Sequence, residues 1–183
     1  MKLSSELRTG QLLAADTMLR SQRSWMRDKA VVGQRSNIIS FGKRFENLAI
    51  SVRAKIIGSN TTTFQDHVGR GAIVFLHCKG EIWNYGTVVN DYENSRDLLW
   101  PNDIYPFRNK ISIEHLTLDP VVLSNGIYNT ALRMEFGVGW AYKFIFSPRP
   151  LPEKIGQKSY EELKTRKPVS ENVFLKAISE GAK

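Results

Sequence analysis

The chain has one cysteine, Cys78, among 183 residues. No intrachain disulfide and no cysteine-based zinc site can therefore form, and this usage fits a reducing cytoplasm, the expected location. Histidine is scarce as well. His67, His77 and His115 have no ligand-like spacing to one another or to the cysteine, and His77 and His115 fall in predicted strands, where a structural role is the plainer reading. A Walker loop is missing, because Gly69-Arg70-Gly71 is too short to cradle a phosphate chain. The His-x-Glu with Cys-x-x-Cys pattern of a deaminase and the Gly-x-Ser-x-Gly elbow of a hydrolase are missing too. Carboxylate pairs such as Asp91 and Glu93 read as a solvated turn. The chain is accordingly expected not to be an enzyme, with no metal and no cofactor; an RNase-like site is the alternative, and divalent-dependent cleavage of nucleic acid tests it. No apolar run approaches the roughly 20 residues of a membrane helix, and the polar segment 1–19 lacks the apolar core of a signal peptide. No membrane partner is expected.

Positive charge is what the chain has in excess, a net of +8. Its placement is uneven. Residues 1–58 hold 11 Lys/Arg against 4 Asp/Glu, a net of +7, while residues 59–150 hold 8 against 9 and residues 151–183 hold 7 against 5. A basic third beside a near-neutral remainder is the electrostatic footprint of a polyanion partner, nucleic acid above all. A solvated basic surface without a partner has the same composition.

Residues 3–18 show helical spacing through Leu12, Ala15, Met18 and Leu19, and residues 33–44 read as a loop whose Arg35, Lys43 and Arg44 are donors for a phosphate backbone. Residues 48–57 alternate, with Leu48, Ile50, Val52, Ala54 and Ile56 on one face, which predicts a strand; 58–65 reads as a polar turn. Residues 72–78 are continuously apolar and predict a strand buried on both sides, joined by Lys79-Gly80-Glu81 to a partner strand over 83–89. Another strand is expected over 109–116, a break at Asp119-Pro120, a turn at Ser124-Asn125-Gly126, and a helix over 129–136. The aromatic alternation of Trp140, Tyr142, Phe144 and Phe146 predicts a further strand. Helices are expected over 159–165 and 171–178. Several short strands with helices at both ends predict an α+β fold, a small mixed or closed β-barrel.

The stretch from Trp100 to Ile113 joins two kinds of structure. Pro101 and Pro106 remove backbone donors, so residues 100–106 form a stiff loop carrying Trp100 and Tyr105. From Asn109 the period becomes two: Asn109, Ile111, Ile113 and His115 face one way. Large aromatics on a stiff loop anchored by a core strand point to a binding loop, or else to rings that cap a core.

The strand at Gly71–Cys78, the strand at Tyr85–Val89, the Leu99-Trp100-Pro101 loop and the run Tyr105-Pro106-Phe107-Arg108-Asn109-Lys110-Ile111 together resemble the EVE domain, which belongs with the PUA and YTH domains. The aromatic strand over 140–146 and Arg149-Pro150-Leu151-Pro152-Glu153 are similar to segments of that family, so the resemblance covers residues 69–165. It implies a small curved mixed β-barrel of PUA/EVE type flanked by helices, with residues 1–165 as the reading domain and 166–183 as a C-terminal helix or linker. It also implies a reader that flips a modified base into an aromatic pocket. The Trp100-Pro101 loop is similar to the YTH loop that supplies a cage tryptophan, and a wall of this kind is expected to be only partly buried. EVE and YTH domains usually begin with a strand and a helix leading to another cage tryptophan, whereas residues 1–45 here read as helix and loop. The second wall therefore falls to Trp83, Phe41, Tyr105 or Trp25. Asn102, Asp103 and Asn125 are the expected contacts to the base edge. Arg35, Ser36, Asn37, Lys43, Arg44, Arg108 and Arg149 are the expected contacts to the nucleic-acid backbone. The expected partner is methylated double-stranded DNA carrying N6-methyladenine or 5-methylcytosine. The expected setting is a modification-dependent restriction system with a fused or associated motor or nuclease. A reader of RNA modifications and a peptide-binding adaptor are the alternatives.

Overall fold

The computed structural model describes residues 36–90, 93–95, 97–101, 105–146 and 148–181. The chain divides into two compact units, Met1–Gln34 and Arg35–Lys183, and all elements below belong to the second. The helix expected over 3–18, Trp25, Arg35, Asn102 and Asp103 lie outside the described residues.

In chain order the described residues form β1 (Asn37–Ser40), α1 (Phe45–Ala54), β2 (Ile56–Ser59), α2 (Thr63–His67), β3 (Ile73–Cys78), β4 (Glu81–Val88), β5 (Glu93–Asn94), β6 (Phe107–Val122), α3 (Gly126–Phe136), α4 (Trp140–Phe146), β7 (Arg149–Pro150), α5 (Glu153–Thr165) and α6 (Glu171–Gly181). The strands make one curled mixed sheet in the order β2-β6-β4-β3-β1-β7, with β5 added beside β6. Only β1 and β3 run parallel, and α1, β2 and α2 supply the crossover that a parallel pair needs. The α+β class and the curved mixed sheet flanked by helices are those expected from the sequence.

Strand β3 sits inside the sheet and is buried at every residue. Its alternation feeds two cores. Val74, Leu76 and Cys78 join Leu48 and Val52 of α1 and Phe174 and Ile178 of α6 in one apolar cluster. Phe75 faces the other way, edge-on to Tyr85, which in turn lies 4.9 Å from Tyr160 of α5. The run at 72–78, apolar except for His77, follows from this two-sided burial, because neither face of β3 meets water. At Gly86 β4 and β6 approach closely: a Cβ there would sit 2.5 Å from the Ser112 carbonyl oxygen, next to a register shift in the pairing.

Several expected elements are replaced. Residues 48–57, predicted as a strand, are mostly helix α1. Leu48 and Val52, four residues apart, are fully buried, and Lys55 ends the helix in a left-handed conformation with its N–H on the Ser51 carbonyl. A run with an apolar residue at every second position also satisfies the i, i+4 rule, so the alternation carried two meanings. Residues 140–146, predicted as a strand, are helix α4, entered through Gly137 and Gly139, both at positive φ. Trp140 and Phe144 are buried there while Tyr142 is 69% exposed, which is a helical and not a strand pattern. The loop expected over 33–44 contains β1. The turn expected over 58–65 contains part of β2 and the start of α2. Strand β6 runs through Asp119-Pro120, where a break was expected, to pair Val122 with Glu81. The helix expected over 171–178 is present as α6, with Phe174 and Ile178 inside the core.

Candidate nucleic-acid interface

Trp100 is 0% exposed, a correction to the expectation of a partly buried wall. It lies outside the apolar cluster that packs α1 and α6 onto the sheet. Its indole Nε1–H donates to two acceptors on α1, the Asn47 carbonyl oxygen at 3.2 Å and Ser51 Oγ at 3.1 Å. Tyr105 stands edge-on to the ring at 4.9 Å, and the Arg108 guanidinium lies 5.4 Å from the ring centre. The remaining side is Gly58 of β2. A Cβ there would come within 2.9 Å of the ring's Cη2 and 2.8 Å of Tyr105 Cβ, so glycine leaves the space that the indole occupies. A buried indole N–H needs a partner, and α1 turns Asn47 and Ser51 inward to provide one.

Arg108, expected on the nucleic-acid backbone, is buried and already engaged. Its Nε donates to the Tyr105 carbonyl, its Nη1 to Ser95 Oγ at 3.0 Å and its Nη2 to the Asp97 carbonyl. It ties the segments on both sides of Trp100 to β6. Beside it opens a cleft of about 300 Å³ that includes Glu93, Asp97, Leu98, Leu99, Arg108 and Lys110. Two acidic and two basic residues line it, so its formal charge is close to neutral.

The other expected residues lie elsewhere. Trp83 is half-buried, edge-on to Phe45 at 5.3 Å and 6.3 Å from Phe174, with its Nε1–H on the Cys78 carbonyl. Phe41 is buried in the same core. Neither ring touches the Trp100 slot, and among the described aromatics expected as a second wall, Tyr105 alone contacts Trp100. Ser36 and Asn37 are buried instead of facing a phosphate: Asn37 Nδ2 donates to the His67 carbonyl, and Ser36 lies under Gly156. Lys43, Arg44, Asn125 and Arg149 are exposed. Lys43 and Arg44 follow Gly42, whose carbonyl accepts from Lys79 N–H, and Leu123 N–H bonds the Gly80 carbonyl. The loops at 42–44, 79–80 and 123–125 therefore meet at one end of the molecule, adding Lys79 to the exposed cations. This hairpin end and the Trp100 slot lie at opposite ends of β6, since Val122 pairs with Glu81 and Arg108 pairs with Gly58. Arg149 sits apart from both, on β7 beside Ile38.

Sequence reading missed Asn47, Ser51, Gly58 and Lys79. Gly58, expected at the head of a polar turn, lies within β2, where a glycine marks close approach by another group. Ser51 was hidden by the strand assignment over 48–57, which placed it on the face opposite Leu48 and Val52.

Among the titratable groups, burial lowers the His77 pKa to about 4, and the ring stays neutral beside Ser40 Oγ at 2.9 Å. Burial also lowers His115, which stacks on Tyr85 at 5.7 Å, and raises the Cys78 thiol to about 12, a protonated and unreactive form. Among the described residues, no group of three His, Cys, Asp or Glu side chains is placed to hold a metal ion.

No family model matches the chain, and no curated protein matches it. Solved structures are similar in part. The YTH domain of the Zygosaccharomyces rouxii MRB1 protein, in complex with N6-methyladenosine RNA, is 15% identical with a TM-score of 0.49, over 74% of this chain and 90% of that one. The Toxoplasma CPSF4 YTH domain in apo form is 8% identical with a TM-score of 0.49, over 75% of this chain and 91% of that one. A hypothetical protein from Leishmania major is 9% identical with a TM-score of 0.43, over 82% and 98%. These scores stay below one half, and they give no residue of this chain a role.

Proposed function

We propose that this chain is a nucleic-acid-binding module that reads a modified base, with N6-methyladenine first and 5-methylcytosine second. One observation carries the reading. The Trp100 slot holds a flat heteroaromatic ring between Gly58, Tyr105 and Arg108, with a carbonyl and a hydroxyl aimed at its N–H edge. Those are the contacts a flipped base requires: faces to stack on and acceptors for its edge. Stacking returns about 1–3 kcal/mol per base against a flipping cost of a few kcal/mol, and a buried methyl adds about 0.8 kcal/mol. The net charge of +8 supplies the general attraction to phosphate, with Lys43, Arg44 and Lys79 exposed at the hairpin end. Methylated duplex DNA is the proposed substrate. The setting in a restriction system with an associated motor or nuclease rests on the sequence resemblance alone.

A panel of methylated and plain duplex DNA, with methylated and plain RNA, tests the reading at one fixed salt concentration. The expected result is tighter binding of the methylated DNA. A preference for methylated RNA transfers the reading to RNA, and equal binding of all four probes removes it. A second reading, a protein-binding adaptor, is favoured by the exposure of Ile127, Met134, Val138 and Tyr142 on and between α3 and α4. Absence of nucleic-acid binding by the wild type, with binding of a peptide that is lost on replacing those four while the fold stays intact, would favour the adaptor.

A further inference from the structure

We infer that the slot filled by Trp100 is itself the base site, and that the indole is its exchangeable internal occupant. This rests on the base-reading function proposed above and names how that site works. Three observations converge. The ring is fully buried yet lies outside the apolar cluster shared by α1, α6 and the sheet, and its N–H edge meets polar atoms of α1. The space it fills exists because residue 58 is a glycine: a Cβ there would come within 2.9 Å of the ring. The cleft of about 300 Å³ beside it shares Arg108 with the slot and reaches Leu99, the residue before Trp100, so the displaced ring has space adjoining its own backbone.

The geometry also selects the ligand. Indole is a fused five- and six-membered ring with one N–H donor, and a purine has the same two-ring outline. The Asn47 carbonyl can accept only, which suits an amino N–H. The Ser51 hydroxyl can accept, as it does from indole, or donate to a purine ring nitrogen. N6-Methyladenine keeps one amino N–H for the carbonyl. A guanine carbonyl at that position would face the Asn47 carbonyl and be repelled. The site is therefore a purine site, and base entry competes with the chain's own tryptophan. Affinity for a base is lowered by the fraction of molecules in which the indole is in place.

Trp100→Gly in the full chain tests this with N6-methyladenosine and indole as free probes. The expected result is that the variant binds both, each raising its Tm saturably, while the wild type binds neither. Binding of indole alone would overturn the inference, because the slot would then fit only its own side chain. Should the variant fail to fold, the wild type labelled with 5-fluorotryptophan decides, its Trp100 resonance assigned by Trp100→Phe. Methylated DNA is expected to shift that resonance and open it to a soluble paramagnetic quencher. An unmoved, protected resonance together with selective binding of methylated DNA overturns the inference and leaves the reader intact. Absence of any methyl preference overturns the reader and the inference with it.

Discussion

The two ends of β6 present opposite physical chemistry. At one end Trp100 is enclosed, with its donor satisfied and Arg108 spent on the surrounding backbone. At the other, the exposed residues Lys43, Arg44 and Lys79, the last with its ammonium 4.5 Å from the Phe45 ring, lie on loops held together by backbone hydrogen bonds. Enclosure gives discrimination, because a mismatch leaves buried groups unpaired. Exposed charge gives affinity without discrimination, because every phosphate is alike. On the proposed reading, the difference implies that selectivity and attraction should be separately removable, and the predictions ask whether they are.

The largest effect removes both ends together. Ile111 is buried in β6 between them, and Ile111→Asp places an unpaired charge in the core. The domain is expected to lose its cooperative melting transition; a native-like Tm would show that this face of β6 is not the core. Next comes the slot alone. Trp100→Ala is expected to cost about 3–5 kcal/mol of stability, as truncation of a fully buried ring does. Lys43→Ala or Arg44→Ala should stay within about 0.5 kcal/mol. Denaturant titration of the three variants makes the comparison, and a mild effect at Trp100 would erase the contrast.

Acid distinguishes the ends by a third route. His77 lies beside the loop at 40–42, and its folded pKa of about 4 is below the ordinary value of 6.5. Between those values the unfolded chain binds a proton that the folded one refuses, so stability falls as pH drops from about 6.5 to about 4. The loss from this group approaches about 3 kcal/mol and stops growing below about pH 4. Burial lowers His115 as well, which adds in the same direction. Denaturation midpoints between pH 7 and pH 4 measure it, and His77→Gln should flatten the profile. The smallest effect on the fold is at the basic end. Replacing Lys43, Arg44 and Lys79 by alanine should weaken all nucleic-acid probes alike and reduce the slope of log K against log salt by roughly 2–3. An unchanged slope would place the phosphate contacts on other cations.

Much of the sheet was legible because its interior strands have only one reading. The apolar run at 72–78 with glycines on either side, and the alternation from Asn109 to His115, admit a strand and little else. Helices α1 and α4 were misread for one reason. In both, apolar residues at every second position also fall four apart, and only the tertiary environment decides which set is buried. That decision is visible in Tyr142, exposed where a strand would have hidden it with Trp140 and Phe144. The slot was half legible. Two prolines and two aromatics marked the loop, and the Tyr-Pro-Phe-Arg run marked its exit. Its opposite wall comes from α1 and Gly58, more than 40 positions earlier in the chain. Nothing local to Trp100 announces that wall. The deep burial of Arg108 was equally hidden, because charge in a sequence reads as surface until its partners are known.

The most direct test of the account is the ratio of affinities for methylated and plain duplex DNA. It is measured in the wild type and in the Lys43→Ala, Arg44→Ala, Lys79→Ala variant at the same salt concentration. The prediction is a wild-type preference for the methylated duplex that the variant keeps while both of its affinities fall. Equal affinities in the wild type, or a preference that disappears with the three cations, would contradict the assignment of base reading to the Trp100 end.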